Sequence, residues 1–527
     1  MKLQRTALGA LLLCSVLTAC VDSDPMSVVT SGRPQFAIPA NWNERIRIGV
    51  VPTAASITIG SDGDYTIVGK TSGAVLMTGS NGAVTVTLST PLVTKWYVQV
   101  SCSSGAALQA LIDKAVSLGH PYTTEQAATC TRLLLGDFLL SQPFSVRNAF
   151  RLLLLSQGFP SDLFPTTRSV SVATYSLQRA GTTVSTTQIP VVTSTTGLIK
   201  INGSVYRDAG EVRANSTGAL SGINELHIEQ YLYGVVPREL GPIAFPEVEA
   251  QKAQAVAART YALANLGKRN IDGFDLLPTT SDQVYGGYSA EHPVSSAAVD
   301  GTRGLALTYN GALISAMYSS TSGGHTADSE ESFSTALPYL RGVPDAERGE
   351  ALEHVPSLEV FKAHANARSL RAAREGDFES DWASRHRWTF EWSADEISDV
   401  LSAWRGTDVG TVYGINVLER GPSGRVLLIE YVTEAGTFTH TKDGIRSSLR
   451  FLTATGAMSN LPSTLFFIEP VLDNKTHELA GFIAYGAGFG HGVGMGQTGA
   501  VGMAEKGHSF EEILTHYYRD VALEVMY

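Results

Sequence analysis

The sequence predicts an α+β protein: a β-rich region with an Ala-rich helix beside a candidate active site, plus a small ferredoxin-like βαβα module. Three observations carry this. Apolar residues alternate with polar ones in short runs over 46–93 and again over 169–226, the period of half-buried strands. Between them, 94–166 alternates strand-like with helix-like segments. Further on, Gln251-Lys252-Ala253-Gln254-Ala255-Val256-Ala257-Ala258-Arg259-Thr260-Tyr261-Ala262-Leu263 lies in a helical stretch from Pro246 to Leu266. The 527 residues are 43% apolar and 17% charged, which suits two to four globular domains. A net charge of −11 with no long basic cluster argues against nucleic acid or an anionic membrane surface as partner.

In chain order, Lys2 and Arg5 precede an apolar run, Ala7 to Val16, and Leu17-Thr18-Ala19-Cys20. This resembles a bacterial lipoprotein signal, with 1–19 removed and Cys20 carrying lipid. Residues 20–43 then form a tether. No later run is long and apolar enough for a membrane helix, so the membrane is met only through the anchor at Cys20. Cys14 leaves with the signal, and Cys102 and Cys130 remain to form a disulfide in an oxidising compartment. The chain-entropy account gives that loop roughly 3–4 kcal/mol. The expected location is the cell envelope, at the periplasm-facing outer membrane.

Residues 44–93 read as a small β segment. In 94–166, Trp96 to Val100 and Arg132 to Gly136 read as strands, and Ala106 to Leu118 and Ser145 to Ser156 as helices stopped by Gly119 and Gly158. Tyr97-Val98-Gln99-Val100 and the strand Arg132 to Phe138 with its following helix resemble a SPOR domain, which implies binding of glycan strands without stem peptides. Residues 167–223 return to β.

Residues 224–527 carry the chemistry. Tyr231-Leu232-Tyr233-Gly234-Val235-Val236 reads as a strand broken at Pro237 and presenting Glu239. On the helix that follows, Arg259 has Ala255, Val256, Ala262 and Leu263 as neighbours. An arginine on an apolar face needs a carboxylate, and Glu239 is the natural candidate. Together with Asp282-Gln283-Val284-Tyr285-Gly286-Gly287, Tyr318-Ser319-Ser320-Thr321-Ser322-Gly323-Gly324, Ser423-Gly424-Arg425-Val426 and Gly490-His491-Gly492-Val493-Gly494-Met495, these motifs resemble the SpoIID/LytB family. The resemblance implies a peptidoglycan lytic transglycosylase acting on denuded glycan strands, or an enhancer of an N-acetylmuramoyl-L-alanine amidase. It implies Glu239 as the catalytic glutamate, with Arg259 either holding it or binding substrate.

Gly486, Gly488, Gly490, Gly492, Gly494 and Gly496 alternate strictly. An extended chain would put these glycines on one face and aim His491 and Gln497 to the other. His491 then either assists protonation or is a structurally bonded histidine under the site. Gln283, Tyr285, Tyr318, Ser320 and Ser322 are expected to line the cleft. A Ser322 nucleophile served by His325 or His491 is the hydrolase alternative, though no strand-to-helix elbow accompanies it. Gly494 to Gly499 fits a dinucleotide fingerprint, but too little chain follows to complete its fold. Relatives can carry a Cys-His-Cys zinc cluster just before the glutamine. Leu276 to Asp282 has neither residue, so no metal and no cofactor are expected. The charged stretch 345–387, with His354, His364 and His386, reads as an exposed helical excursion, and Ser509 to Tyr518 as a closing helix.

Overall fold

The structure, a computed structural model, describes residues 42–90, 92–127, 130–160, 163–346, 378–379, 383–453 and 455–527. The signal segment, Cys20, the tether up to residue 41, His354 and His364 lie outside these residues. The chain divides into two compact units, one of 53–195 with 211–221 and one of the remaining described residues.

In the first unit, Ser56–Gly69 pairs antiparallel with Val75–Ser89 in a register that sets Ile57 against Val86 and Ile59 against Val84. Val75–Ser89 continues to Thr174–Arg179, with Val86 beside Leu177. Ser56–Gly69 takes Pro190–Ser194 on its other side, with Ile67 beside Val192. All these apolar residues are buried, which is what period-two alternation dictates. The strands before and after the module therefore share one sheet.

The inserted module runs Leu92–Ser103, helix α1 (Gly105–Ser117), Tyr122–Gln126, Thr131–Leu139, helix α2 (Phe144–Ser156), Phe164–Ser171. Its four strands lie in the order Tyr122–Gln126, Thr131–Leu139, Leu92–Ser103, Phe164–Ser171, each pair antiparallel. This is β-α-β-β-α-β, ferredoxin-like, two strands more than the expected βαβα. The two missed strands are the sheet's edges. Their residues, such as Thr123, Thr124, Glu125, Thr166 and Arg168, lack the apolar alternation that marks the central pair. Trp96, Val98, Val100, Leu133 and Leu135 form the core beneath the helices. Cys102 and Cys130 stand with Cα atoms 5.4 Å apart, a separation that a disulfide accepts.

The second unit is built around helices α3 (Ile228–Glu239), α4 (Val248–Ala264) and α5 (Pro293–Gly301). Helix α4 is buried on nearly all sides from Ala250 to Ala264. Its alanines make that possible, because small side chains let neighbours approach from every direction. Ala255, Ala258 and Ala262 face one core with Tyr231, Leu232 and Val235. Ala253, Val256 and Ala257 face another with Val493, Met495, Ile513, Tyr517 and Tyr518. A third core collects Trp388, Trp392, Ile429, Tyr431, Phe466 and Phe482.

The stretch 345–387 departs from its expected exposure where it is described, since Asp345, Glu379 and His386 are buried. Charge alone suggested solvent. These groups instead partner one another through Ser322 and Tyr517. The closing helix spans Phe510–Tyr517, with Ser509 and Glu512 forming a capping box.

Candidate functional site

Tyr231 to Val236 is helix rather than the expected strand. Aromatic and β-branched content suggested a strand, but the buried large apolar residues Ile228, Tyr231, Leu232, Val235 and Val236 are spaced as one helical face. His227 caps the start by accepting the Glu229 amide through Nδ1 at 3.1 Å. Pro237 sits in the last turn, where the lost hydrogen bond coincides with the helix end. Glu239 is therefore the final residue of α3, at the negative end of the helix dipole, which disfavours a carboxylate.

The half-buried Glu239 carboxyl is held without a cation, for among the described residues no ion pair reaches it. The Val284 amide donates to its Oε1 at 2.6 Å. The side chains of Tyr318 and Gln497 stand near the carboxyl and favour its charged form. Burial outweighs these and pushes its pKa up to about 7. Gln497, at the start of the helix Gln497–Glu505, also donates to the Glu239 carbonyl and to Gln254 Oε1, both at 3.1 Å.

Gln283 is the clamp behind the site. Its amide nitrogen donates to Tyr318 Oη at 3.0 Å and to the Ala258 carbonyl at 3.2 Å, and its oxygen accepts from Tyr231 Oη at 3.1 Å. With Tyr318 Oη accepting from Gln283, its own proton is left free to turn toward the nearby Glu239 carboxyl.

Arg259 does not pair with Glu239. It is fully buried and grips Glu229 through Nε at 2.9 Å and Nη2 at 2.7 Å. Once α3 is a helix, Glu229 lies ten residues from Glu239, roughly 15 Å along the axis. The arginine that meets one end cannot meet the other. Burial pushes the Glu229 carboxyl up, but Arg259, Tyr527 and the Gly304 amide outweigh it and hold the pKa below the ordinary range.

Tyr285 bonds away from Glu239. It is buried, donates to Asn224 Oδ1 at 2.9 Å and packs on Tyr231 with ring centroids 5.0 Å apart. Ser320 is half-buried, and its carbonyl accepts from the Thr498 amide at 2.9 Å, joining the Tyr318 strand to the Gln497 helix. Ser322 is fully buried and donates to Asp345 Oδ2 (2.6 Å) and Glu379 Oε1 (2.9 Å). His386 lies beyond Glu379 rather than on the serine, and neither His325 nor His491 bonds to it. The arrangement lacks the nucleophile–base contact of a serine hydrolase.

The glycine run is not an extended strand. Gly488, Gly490, Gly492 and Gly494 all have positive φ, between 75° and 102°, so the alternation serves backbone handedness rather than one bare face. A Cβ on Gly494 would lie 2.0 Å from the Met317 carbonyl, and one on Gly492 2.1 Å from the Arg425 guanidinium. His491 and Gln497 consequently part company. The imidazole accepts from the Val493 amide at 3.0 Å and packs on Phe333, and burial pushes its pKa down to about 4. It is a neutral, structurally bonded imidazole rather than a proton donor.

Sequence reasoning missed the Val284 amide and the pairing role of Glu229. A helical reading of α3 would have exposed the latter.

Residues 216–309 match the family described as Stage II sporulation protein (SpoIID), and 328–494 match a domain of unknown function (DUF8618). Over 301 residues the chain is 34% identical to an uncharacterized protein of Brachyspira hyodysenteriae, covering 57% of this chain and 67% of that one. It is 31% identical over 304 residues to a Bacillus subtilis protein named Amidase enhancer, covering 55% of this chain and 40% of that protein. It is 27% identical over 314 residues to Stage II sporulation protein D of Bacillus amyloliquefaciens, covering 57% and 74%.

Proposed function

We propose, from the match of residues 216–309 to the Stage II sporulation protein family and the surroundings of Glu239, that the chain acts on peptidoglycan as a lytic transglycosylase, with Glu239 as general acid and base. The observation that carries this reading is a single carboxyl, unpaired with any cation among the described residues and held protonated near neutrality by burial. Glu239 gives its proton to the glycosidic oxygen between N-acetylmuramic acid and N-acetylglucosamine as that C1–O bond breaks. The resulting carboxylate then takes the proton of the muramic 6-hydroxyl, whose oxygen bonds to C1 and leaves a 1,6-anhydro end. Protons balance within one turnover. The second carboxylate of ordinary glycosidases has no task in this scheme. Val284, Tyr318 and Gln497 stabilise the anionic half of the cycle.

The ferredoxin-like module supports a companion role as a SPOR-like binder of denuded glycan, and the signal motif supports anchoring at Cys20 in the cell envelope. A disulfide between Cys102 and Cys130 accords with that compartment. The relative named Amidase enhancer favours a second reading, in which the same cleft binds glycan and recruits an N-acetylmuramoyl-L-alanine amidase without cutting.

Digestion of amidase-stripped sacculi separates the two. Wild-type protein is expected to release anhydro-muramic products that Glu239→Gln does not, a loss of at least about 100-fold for removing the proton donor. Equal release by the variant would remove Glu239 from the chemistry. Binding without any product from the wild type would favour the recruiter.

A further inference from the structure

Arg238, next to Glu239 in the last turn of α3, is exposed. Among the described residues no hydrogen bond or ion pair engages its guanidinium. The other cations around α3 and α4 are occupied. Arg259 is on Glu229, Lys268 and Arg269 are both on Asp282, and Arg207 is bidentate on Glu291. The course of the Arg238 side chain is set by Gly286, where an added Cβ would lie 3.0 Å from both Cγ and Cδ of the arginine. Gly286 is two residues past the Val284 amide that holds Glu239, so the aliphatic stem of Arg238 runs beside the segment that holds that carboxyl. Its positive charge is felt at the Glu239 carboxyl.

A free guanidinium beside a glycan-cutting carboxyl fits an anionic group on the sugar that reacts. Muramic acid offers one. Its lactyl ether stands on C3 of the ring whose C1 is attacked, and it ends in a carboxylate only after the stem peptide has been removed. With the peptide attached, that end is a neutral amide. A planar guanidinium binds a carboxylate through two parallel hydrogen bonds and gains little from an amide.

We propose that Arg238 is a specificity-determining residue of this cleft, binding the free lactyl carboxylate of peptide-free muramic acid. The proposal rests on the reading of the Glu239 cleft as a glycan site, but not on its cutting the strand.

The test uses full-length Glu239→Gln protein, so that ligand is not consumed. The probes are short amidase-stripped glycan strands and the same strands with lactyl carboxylates converted to methylamides by carbodiimide coupling. Stripped strands are expected to bind about 10-fold tighter than methylamide strands. Adding Arg238→Met is expected to erase that preference, while Arg238→Lys, which keeps the charge but not the fork, retains part of it. Equal binding of the two ligands by the parent, or a preference that survives Arg238→Met, would overturn the assignment. Failure of the catalytic reading shows separately, as wild-type protein that makes no anhydro product from either strand.

Discussion

Burial raises the carboxyl of Glu239, the proposed general acid, to about 7, and two consequences follow at the scale of single residues. A general acid with a pKa of about 7 is protonated below neutrality. The rate on stripped glycan is therefore expected to fall as pH rises above 7, and Tyr318→Phe should move that limb to higher pH, because it removes a donor to the charged form. A limb that stays in place or moves lower would argue against Tyr318 bonding to Glu239. Stability follows the same group. Between the ordinary carboxylate pKa and 7 the folded protein binds more protons than the unfolded chain, so this group's contribution declines as pH rises through that window. Glu239→Gln is thus expected to be more stable than wild type at pH 8, by on the order of 1–3 kcal/mol, with the gap closing near pH 4. Urea unfolding at the two pH values measures it, and a constant gap would contradict the burial argument.

Helix α3 shows at the scale of an element what could and could not be read in advance. The motif around Glu239 stood out in the sequence because of its residue types. Its secondary structure was misread because Tyr231, Tyr233, Val235 and Val236 favour strands, whereas burial of Tyr231, Leu232 and Val235 against the alanines of α4 decides for helix. That error displaced Arg259 onto the wrong glutamate. The Glu229–Arg259 pair is a structural brace, and Arg259→Met leaves a buried carboxylate uncompensated. It should cost roughly 3–5 kcal/mol in unfolding free energy. A loss below about 1 kcal/mol would show that the brace carries little.

The glycine run was likewise visible as a pattern but not as a geometry, since alternate positive φ and strict extension produce the same spacing. Gly494→Ala, at φ 75° with the Met317 carbonyl in the way, is expected to lower Tm and to weaken activity through Tyr318, whose strand pairs with Met495. Unchanged Tm would contradict that packing.

Over the whole molecule, the flanking β segments and two of the module's four strands followed from the sequence, whereas the module's edge strands, whose polar faces hide the alternation, and the joining of the flanking segments into one sheet came from the structure. The Ser322, Asp345, Glu379 and His386 cluster was not legible, because it joins residues far apart in sequence whose charge suggested solvent. The anchor remains a proposal, and Cys20→Ser is expected to abolish incorporation of labelled lipid. Continued incorporation would refute it.

One experiment reaches the central claim, that a single glutamate acts twice and no water enters the bond. Stripped glycan strands are digested in heavy-oxygen water and the new ends examined by mass spectrometry. Transglycosylation through Glu239 is expected to give 1,6-anhydro-muramic ends free of the label. Reducing ends carrying the heavy oxygen would contradict the account and place a hydrolase in this cleft.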